Sequence, residues 1–143
     1  MSQHRELVTD WMSADPIAAD AEMTLAEAYE LMSENEIRRL VVVREGELIG
    51  IVTLSDILRT IPAILAETDR ETRLLINSNT VRDVMTRDVV TAAADEPIQD
   101  VAESMLEYQV SGLPVVEGMV PIGIITESDI FRLVVESWSE PDD

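Results

Sequence analysis

Ile49-Gly50-Ile51-Val52-Thr53-Leu54-Ser55-Asp56-Ile57 returns 73 residues later as Ile122-Gly123-Ile124-Ile125-Thr126-Glu127-Ser128-Asp129-Ile130. Laid on residues 81–132 without a gap, residues 8–59 match at 20 of 52 columns. Chance would give roughly three or four, so the chain is an internal duplication. Each copy runs from an apolar, strand-like stretch into a polar tetrad, Thr53-Leu54-Ser55-Asp56 or Thr126-Glu127-Ser128-Asp129. A site built on one tetrad has a related site on the other.

The residues around each tetrad set the order of elements. Thr24-Leu25-Ala26-Glu27 reads as a capping box opening an amphipathic helix, with Leu25, Ala28, Leu31 and Met32 on one face. Its counterpart opens at Asp95-Glu96-Pro97, proline being at home in a first helical turn, and continues through Ile98, Val101, Ala102, Met105 and Leu106. Two strands follow each helix. They are Leu40–Val43 and Leu48–Leu54, hinged at Glu45-Gly46, then Leu113–Val116 and Ile122–Thr126, hinged near Glu117-Gly118. A short extended segment precedes each helix, around Asp15 to Ala19 and Asp88 to Thr91. A second helix starts at each Ser-Asp pair, the first running towards Leu65 with a disturbance at Pro62, the second through Val135. The expectation is an α/β (α+β) fold of two β-α-β-β-α units. Repeat one occupies residues 1–65 (core 8–59), a polar linker 66–80, repeat two 81–135 and an acidic tail 136–143.

Composition narrows the function. At 143 residues the two repeats fit one compact domain with a shared core. Apolar residues are 46% of the chain and aromatics 3%, so the core is aliphatic. Met12, Met32, Met85 and Met105 recur at matching positions and read as core filler. With no cysteine, and His4 in an N-terminal lead-in as the one histidine, disulfides, thiolate chemistry, Cys/His zinc sites and Ser-His-Asp triads drop out. No carboxylate cluster with metal-loop spacing is evident, so neither catalytic residues nor metal ligands are assigned, and the chain is not read as an enzyme. The net charge is −19 and every basic residue is arginine, which argues against nucleic acid and anionic membrane surfaces. The acidic, lysine-free balance fits either adaptation to high salt or a genome-wide codon bias. No apolar run has membrane-spanning length and no secretory signal is evident, which gives a cytoplasmic location as the expectation.

The closing Gly-Ile-(Val/Ile)-Thr-x-Ser-Asp of each unit, Val8-Thr9-Asp10-Trp11-Met12-Ser13, Val81-Arg82-Asp83-Val84-Met85-Thr86 and Ser111-Gly112-Leu113-Pro114-Val115-Val116 together resemble the cystathionine-β-synthase (CBS) domain as a tandem pair. The resemblance covers about residues 8–135. It implies two units packed with pseudo-twofold symmetry, ligand clefts between them, and a homodimer of modules acting on an as yet unknown regulated protein. No catalytic cofactor is implied. The implied ligands are adenosine compounds: AMP, ADP, ATP or S-adenosylmethionine.

The tetrad residues suit such a ligand. An ionised carboxylate accepts hydrogen bonds from both hydroxyls of a ribose, which makes Asp56 and Asp129 the candidate diol acceptors. Thr53, Ser55, Thr126 and Ser128 offer hydroxyls, and a helix start beside them favours an anion. By resemblance, adenine would use Ile17-Ala18 and Val89-Val90, with backbone near Ile51 and Ile124. Arg38 and Arg39, replaced in repeat two by Ser111 and Gly112, are candidates for a phosphate or for surface ion pairs with Glu34 or Glu36. Repeat one also carries Val41 where repeat two has Pro114. The competing reading is local: Thr-x-x-Asp is an N-cap with an acid at N3, worth about 1 kcal/mol without any ligand. On that reading the protein is a dimerising scaffold with vestigial clefts. Trp11 and Trp138, near the two ends of the module, are candidates for packing on each other or at a dimer interface.

Overall fold

The computed structural model describes residues 6–60 and 79–139. Along the chain the described elements are α1 (Val8–Trp11), β1 (Ser13–Ala14), β2 (Ala18–Asp20), α2 (Leu25–Asn35), β3 (Arg39–Arg44), β4 (Glu47–Thr53), α3 (Leu54–Arg59), α4 (Val81–Val84), β5 (Ala92–Ala93), α5 (Ile98–Tyr108), β6 (Gly112–Glu117), β7 (Val120–Thr126) and α6 (Glu127–Ser139). They belong to two compact bodies. One is Ile17–Val89; the other combines Met1–Pro16 with Val90–Asp143.

In the body of residues 17–89, β2 runs parallel to β3 and β3 antiparallel to β4. The period-2 alternation of these strands puts Ala19, Leu40, Val42 and Val52 on one face, where they join Leu25, Ala28 and Met32 of α2 and Ile57 of α3 in an aliphatic core. The start of α2 is the expected capping box: Thr24 Oγ accepts from the Glu27 N–H at 3.1 Å, and Glu27 Oε1 accepts from the Thr24 N–H at 2.9 Å. The hairpin turns on Glu45 and Gly46 with φ of 52° and 82°, the paired positive values that a type I′ turn demands.

The second body repeats this plan, with β5 parallel to β6, β6 antiparallel to β7, and Leu113, Val115 and Ile125 facing Ile98, Val101 and Met105 of α5. Its hairpin turns one residue later than expected, with the positive φ at Gly118 (64°). Pro97 stands at the cap of α5 with extended ψ, one position before the first turn. Leu54 begins a helix rather than ending a strand, because Thr53 already caps α3. α6 runs four residues past Val135 to Ser139, no helix breaker intervening before Pro141. The course towards Leu65, the disturbance at Pro62, His4 and most of the linker and tail fall outside the described residues.

The compact bodies do not coincide with the repeats as aligned, because the leading segments are exchanged. Residues 6–15 of repeat one pack in the second body: the Val8 N–H donates to the Glu96 carbonyl (3.0 Å), the Ile98 N–H to the Glu6 carbonyl (2.9 Å), and β1 pairs with β7. Residues 79–86 of repeat two do the same in the first body. The Val81 N–H donates to Met23 (2.8 Å), the Arg82 N–H to Ala21 (2.9 Å), and Ile51 and Thr86 exchange both backbone bonds at 3.0 and 2.8 Å. The duplicated Gly-Ile step permits this approach. A Cβ on Gly50 would lie 2.8 Å from the Thr86 carbonyl oxygen and 2.8 Å from Met85 Sδ; on Gly123 it would lie 2.8 Å from the Ser13 carbonyl oxygen. Met32, Met85 and Met105 are buried, as filler residues should be.

Candidate functional site

Both tetrads lie at the junction of a strand and a helix. β4 delivers Thr53 as N-cap of α3, and three residues on Asp56 closes a reciprocal box. The Asp56 N–H donates to Thr53 Oγ at 3.1 Å, and the Thr53 N–H donates to Asp56 Oδ2 at 2.9 Å. The other carboxylate oxygen, Oδ1, is ion-paired with Arg59. Asp56 is only 8% exposed. In the second body Asp129 Oδ2 accepts from the Thr126 N–H (2.9 Å) and the Thr126 hydroxyl (3.2 Å), while Oδ1 pairs with Arg132 at 2.9 Å. Its exposure is 9%. Burying an ionised carboxylate demands partners of this kind. Both aspartates therefore face their own helix starts, and capping, one of the two readings open in the sequence, is a role each plays.

The first amide of each helix, expected to favour an anion, is taken. The Leu54 N–H donates to the Arg38 carbonyl at 2.8 Å and the Glu127 N–H to the Ser111 carbonyl at 2.9 Å. Ser55 and Ser128, by contrast, are exposed on the first turns of α3 and α6.

Register places the other expected residues. Ala18 lies opposite Val41 and Val41 opposite Ile51, while Arg39 lies opposite Thr53. Alternation puts Ala18, Val41, Ile51, Arg39 and Thr53 on the sheet face away from α2, so that face unites four of the expected ligand residues. Ile17 instead packs against the aliphatic core. The Ile51 N–H and C=O are both paired with Thr86, which removes them as backbone partners for a base. In the second body Ile124 and Thr126 share the equivalent face with Pro114 and Gly112, and Ile124 also lies opposite Ser13 of β1. Val90 packs against the core there, whereas Val89 belongs to the first body. The Arg38 guanidinium is exposed and has no side-chain partner among the described residues; no ion pair with Glu34 or Glu36 is formed there. Arg39 does have a partner.

Arg59 and Arg132, which hold the two carboxylates, were not among the expected site residues. Their signal was present as the last identical column of the repeat alignment. Trp11 adds to the second of these pairs: its ring centroid lies 5.0 Å from the Arg132 guanidinium carbon, and its carbonyl accepts from Arg132 at 3.3 Å. Trp138 lies exposed near the end of α6. Among the described residues no group of three His, Cys, Asp or Glu side chains could hold a metal ion, and no helix is long and apolar enough to cross a membrane.

A family model for the CBS domain matches the chain twice, over residues 8–63 and 81–136. The CBS domain pair of protein MJ0100, solved in complex with 5′-methylthioadenosine and S-adenosyl-L-methionine, is 36% identical with a TM-score of 0.79, covering 94% of this chain and 99% of that one. Protein MJ1225 from Methanocaldococcus jannaschii superposes with a TM-score of 0.78 at 32% identity, over 92% of this chain and 49% of that one. CBSX2 in complex with AMP superposes with a TM-score of 0.74 at 25% identity, over 91% and 96%. Among curated relatives, the L-aspartate semialdehyde sulfurtransferase of M. jannaschii is 37% identical over 129 residues, which are 89% of this chain and 23% of that protein. The chain thus spans about a quarter of that enzyme, and 46% of MJ1225.

Proposed function

This chain belongs to the CBS-domain family, carrying two copies in tandem, and from that premise we propose that it is a regulatory module that senses an adenosine compound and acts on a partner protein through a change of conformation. The observation that carries the reading is the likeness, at 36% identity over nearly the whole of both chains, to a domain pair solved with 5′-methylthioadenosine and S-adenosyl-L-methionine. The tetrads supply the chemistry. Asp56 and Asp129 are carboxylates already held in fixed orientation, and a carboxylate so held that keeps two acceptor positions accepts from the vicinal hydroxyls of a ribose. Exposed Ser55 and Ser128 supply hydroxyls beside them. Exposed Arg38 offers a cation to a phosphate where the ligand has one. Ligand binding drives the module towards whichever arrangement binds it better, and that difference is the signal.

The same reading gives the module a second copy of itself as partner. Between α5 and α6 an apolar groove of about 360 Å³ is lined by Ala102, Met105, Leu106, Ile130, Phe131 and Val134, with Glu127 its one charged residue. Leu106 is 81% and Phe131 64% exposed. On a chain of net charge −19, a face with so few charges is where two copies meet with least repulsion. Light scattering is expected to give a dimer, and Phe131→Asp a monomer.

Isothermal titration with 5′-methylthioadenosine, S-adenosylmethionine, AMP and ATP tests the sensing role. Saturable heat with at least one is expected. The absence of heat with all four at millimolar concentration refutes it. In that case the capping geometry favours the second reading, a dimeric scaffold whose tetrads serve their helices alone, and melting temperature would not respond to any of these compounds.

A further inference from the structure

The two tetrads share their Thr, Ser and Asp, with Leu54 in one where the other has Glu127, and they differ in how their carboxylates are engaged. An ionised carboxylate has about four acceptor positions. Among the described residues Asp56 uses two of them, for the Thr53 N–H and Arg59. Asp129 uses three, for the Thr126 N–H, the Thr126 hydroxyl and Arg132. A vicinal diol needs two. Asp56 still has that number available, and Asp129 has one.

The arginines differ in the same sense. Arg59 is 73% exposed, and among the described residues Asp56 is its one polar partner. Arg132 is held from two further sides, by the Trp11 ring at 5.0 Å and the Trp11 carbonyl at 3.3 Å. The residue at the Trp11 position of the other repeat is Val84, which has no aromatic face to offer Arg59. Arg38, exposed beside the Thr53–Leu54 cap, has Ser111 as its counterpart, so a cation for an anionic ligand is present at the Asp56 tetrad and missing at that position beside Asp129.

We propose that Trp11 and Arg132 lock the repeat-two tetrad as a structural cap, leaving the repeat-one tetrad, with Asp56 and its loosely held Arg59, as the one that takes ribose. Arg132 is on this view a positioning residue that sets how many ligands the module binds. The inference rests on the adenosine-sensing reading and adds to it which tetrad responds and why.

The test is titration with 5′-methylthioadenosine or whichever of the four adenosine compounds the chain binds, with tryptophan emission followed in a Trp138→Phe background so that Trp11 alone reports. The unaltered module is expected to bind one equivalent, with Trp11 emission unchanged on saturation. Asp56→Asn weakens that binding roughly ten- to a hundredfold, the range for one charge-assisted hydrogen bond. Asp129→Asn keeps it within about twofold. Arg132→Met retains an apolar stem but removes the donor, which returns Asp129 to two available positions, so a second equivalent appears. Trp11→Phe preserves an aromatic face and stays at one. Two equivalents in the unaltered module, binding lost in Asp129→Asn but kept in Asp56→Asn, or no second equivalent in folded Arg132→Met each overturn the inference while leaving the sensing role intact. No binding to the unaltered module at all overturns the sensing role, and this inference with it.

Discussion

Gly50→Ala places a methyl group where the exchanged strand segment lies closest. The new Cβ would stand 2.8 Å from the Thr86 carbonyl oxygen and 2.8 Å from Met85 Sδ. The sulfur ends a flexible side chain and can retreat. The carbonyl cannot, because it accepts from the Ile51 N–H at 3.0 Å while the Thr86 N–H donates back to Ile51 at 2.8 Å. Admitting the methyl means separating the segments and weakening both bonds, each worth about 0.5–1.5 kcal/mol net. Displacing buried Met85 adds an overpacking cost of about 1–3 kcal/mol. Alanine recovers roughly 0.5–1 kcal/mol through its lower backbone entropy in a strand. The net loss is about 1–5 kcal/mol, and at about 2–4 °C per kcal/mol for a chain of this size the melting temperature falls by several degrees or more. Thermal and urea unfolding followed by circular dichroism, with the exposed strand substitution Glu47→Ala as control, measures it. A Gly50→Ala variant as stable as the control refutes the close approach of residues 85–86 to β4, and with it the exchanged leading segments.

If the leads are exchanged, residues 17–89 as a fragment should melt cooperatively and residues 1–65 should not, because the latter lacks the segment bonded to Ala21, Met23 and Ile51; equal cooperativity by circular dichroism would contradict this. Raising NaCl from about 0.1 to 1 M shortens the screening length from about 10 to 3 Å, so a chain of net charge −19 should gain melting temperature; a fall would mean that self-repulsion is not what limits its stability.

The expected elements that reappear in the structure are those specified by neighbours in sequence. The capping box at Thr24 and Glu27 is an i to i+3 contact, and so are the Thr53–Asp56 and Thr126–Asp129 caps. The Glu45-Gly46 turn needs two positive φ values within one hairpin, and a glycine beside an acid between apolar runs announces it. The aliphatic stripes of α2 and α5 follow from 3.6-residue spacing. Local spacing could also show that each tetrad had a cap to make. It carried less about what else the carboxylate would touch, although the identity of Arg59 with Arg132 across the repeat was a usable sign.

The order of elements and the two tetrads were thus written in short-range patterns that a stretch of ten residues can express, and the duplication in the return of those patterns at one fixed offset. The body in which each leading segment packs was not, since Met12-Ser13 pack as readily in principle on the Gly-Ile step of either repeat, and a self-alignment is symmetric to that choice. The contact of Trp11 with Arg132 joins residues 121 positions apart, and no local propensity encodes a partner at that distance. Chain folding broke both ambiguities through backbone pairing and close packing, energies that exist only once distant segments have met.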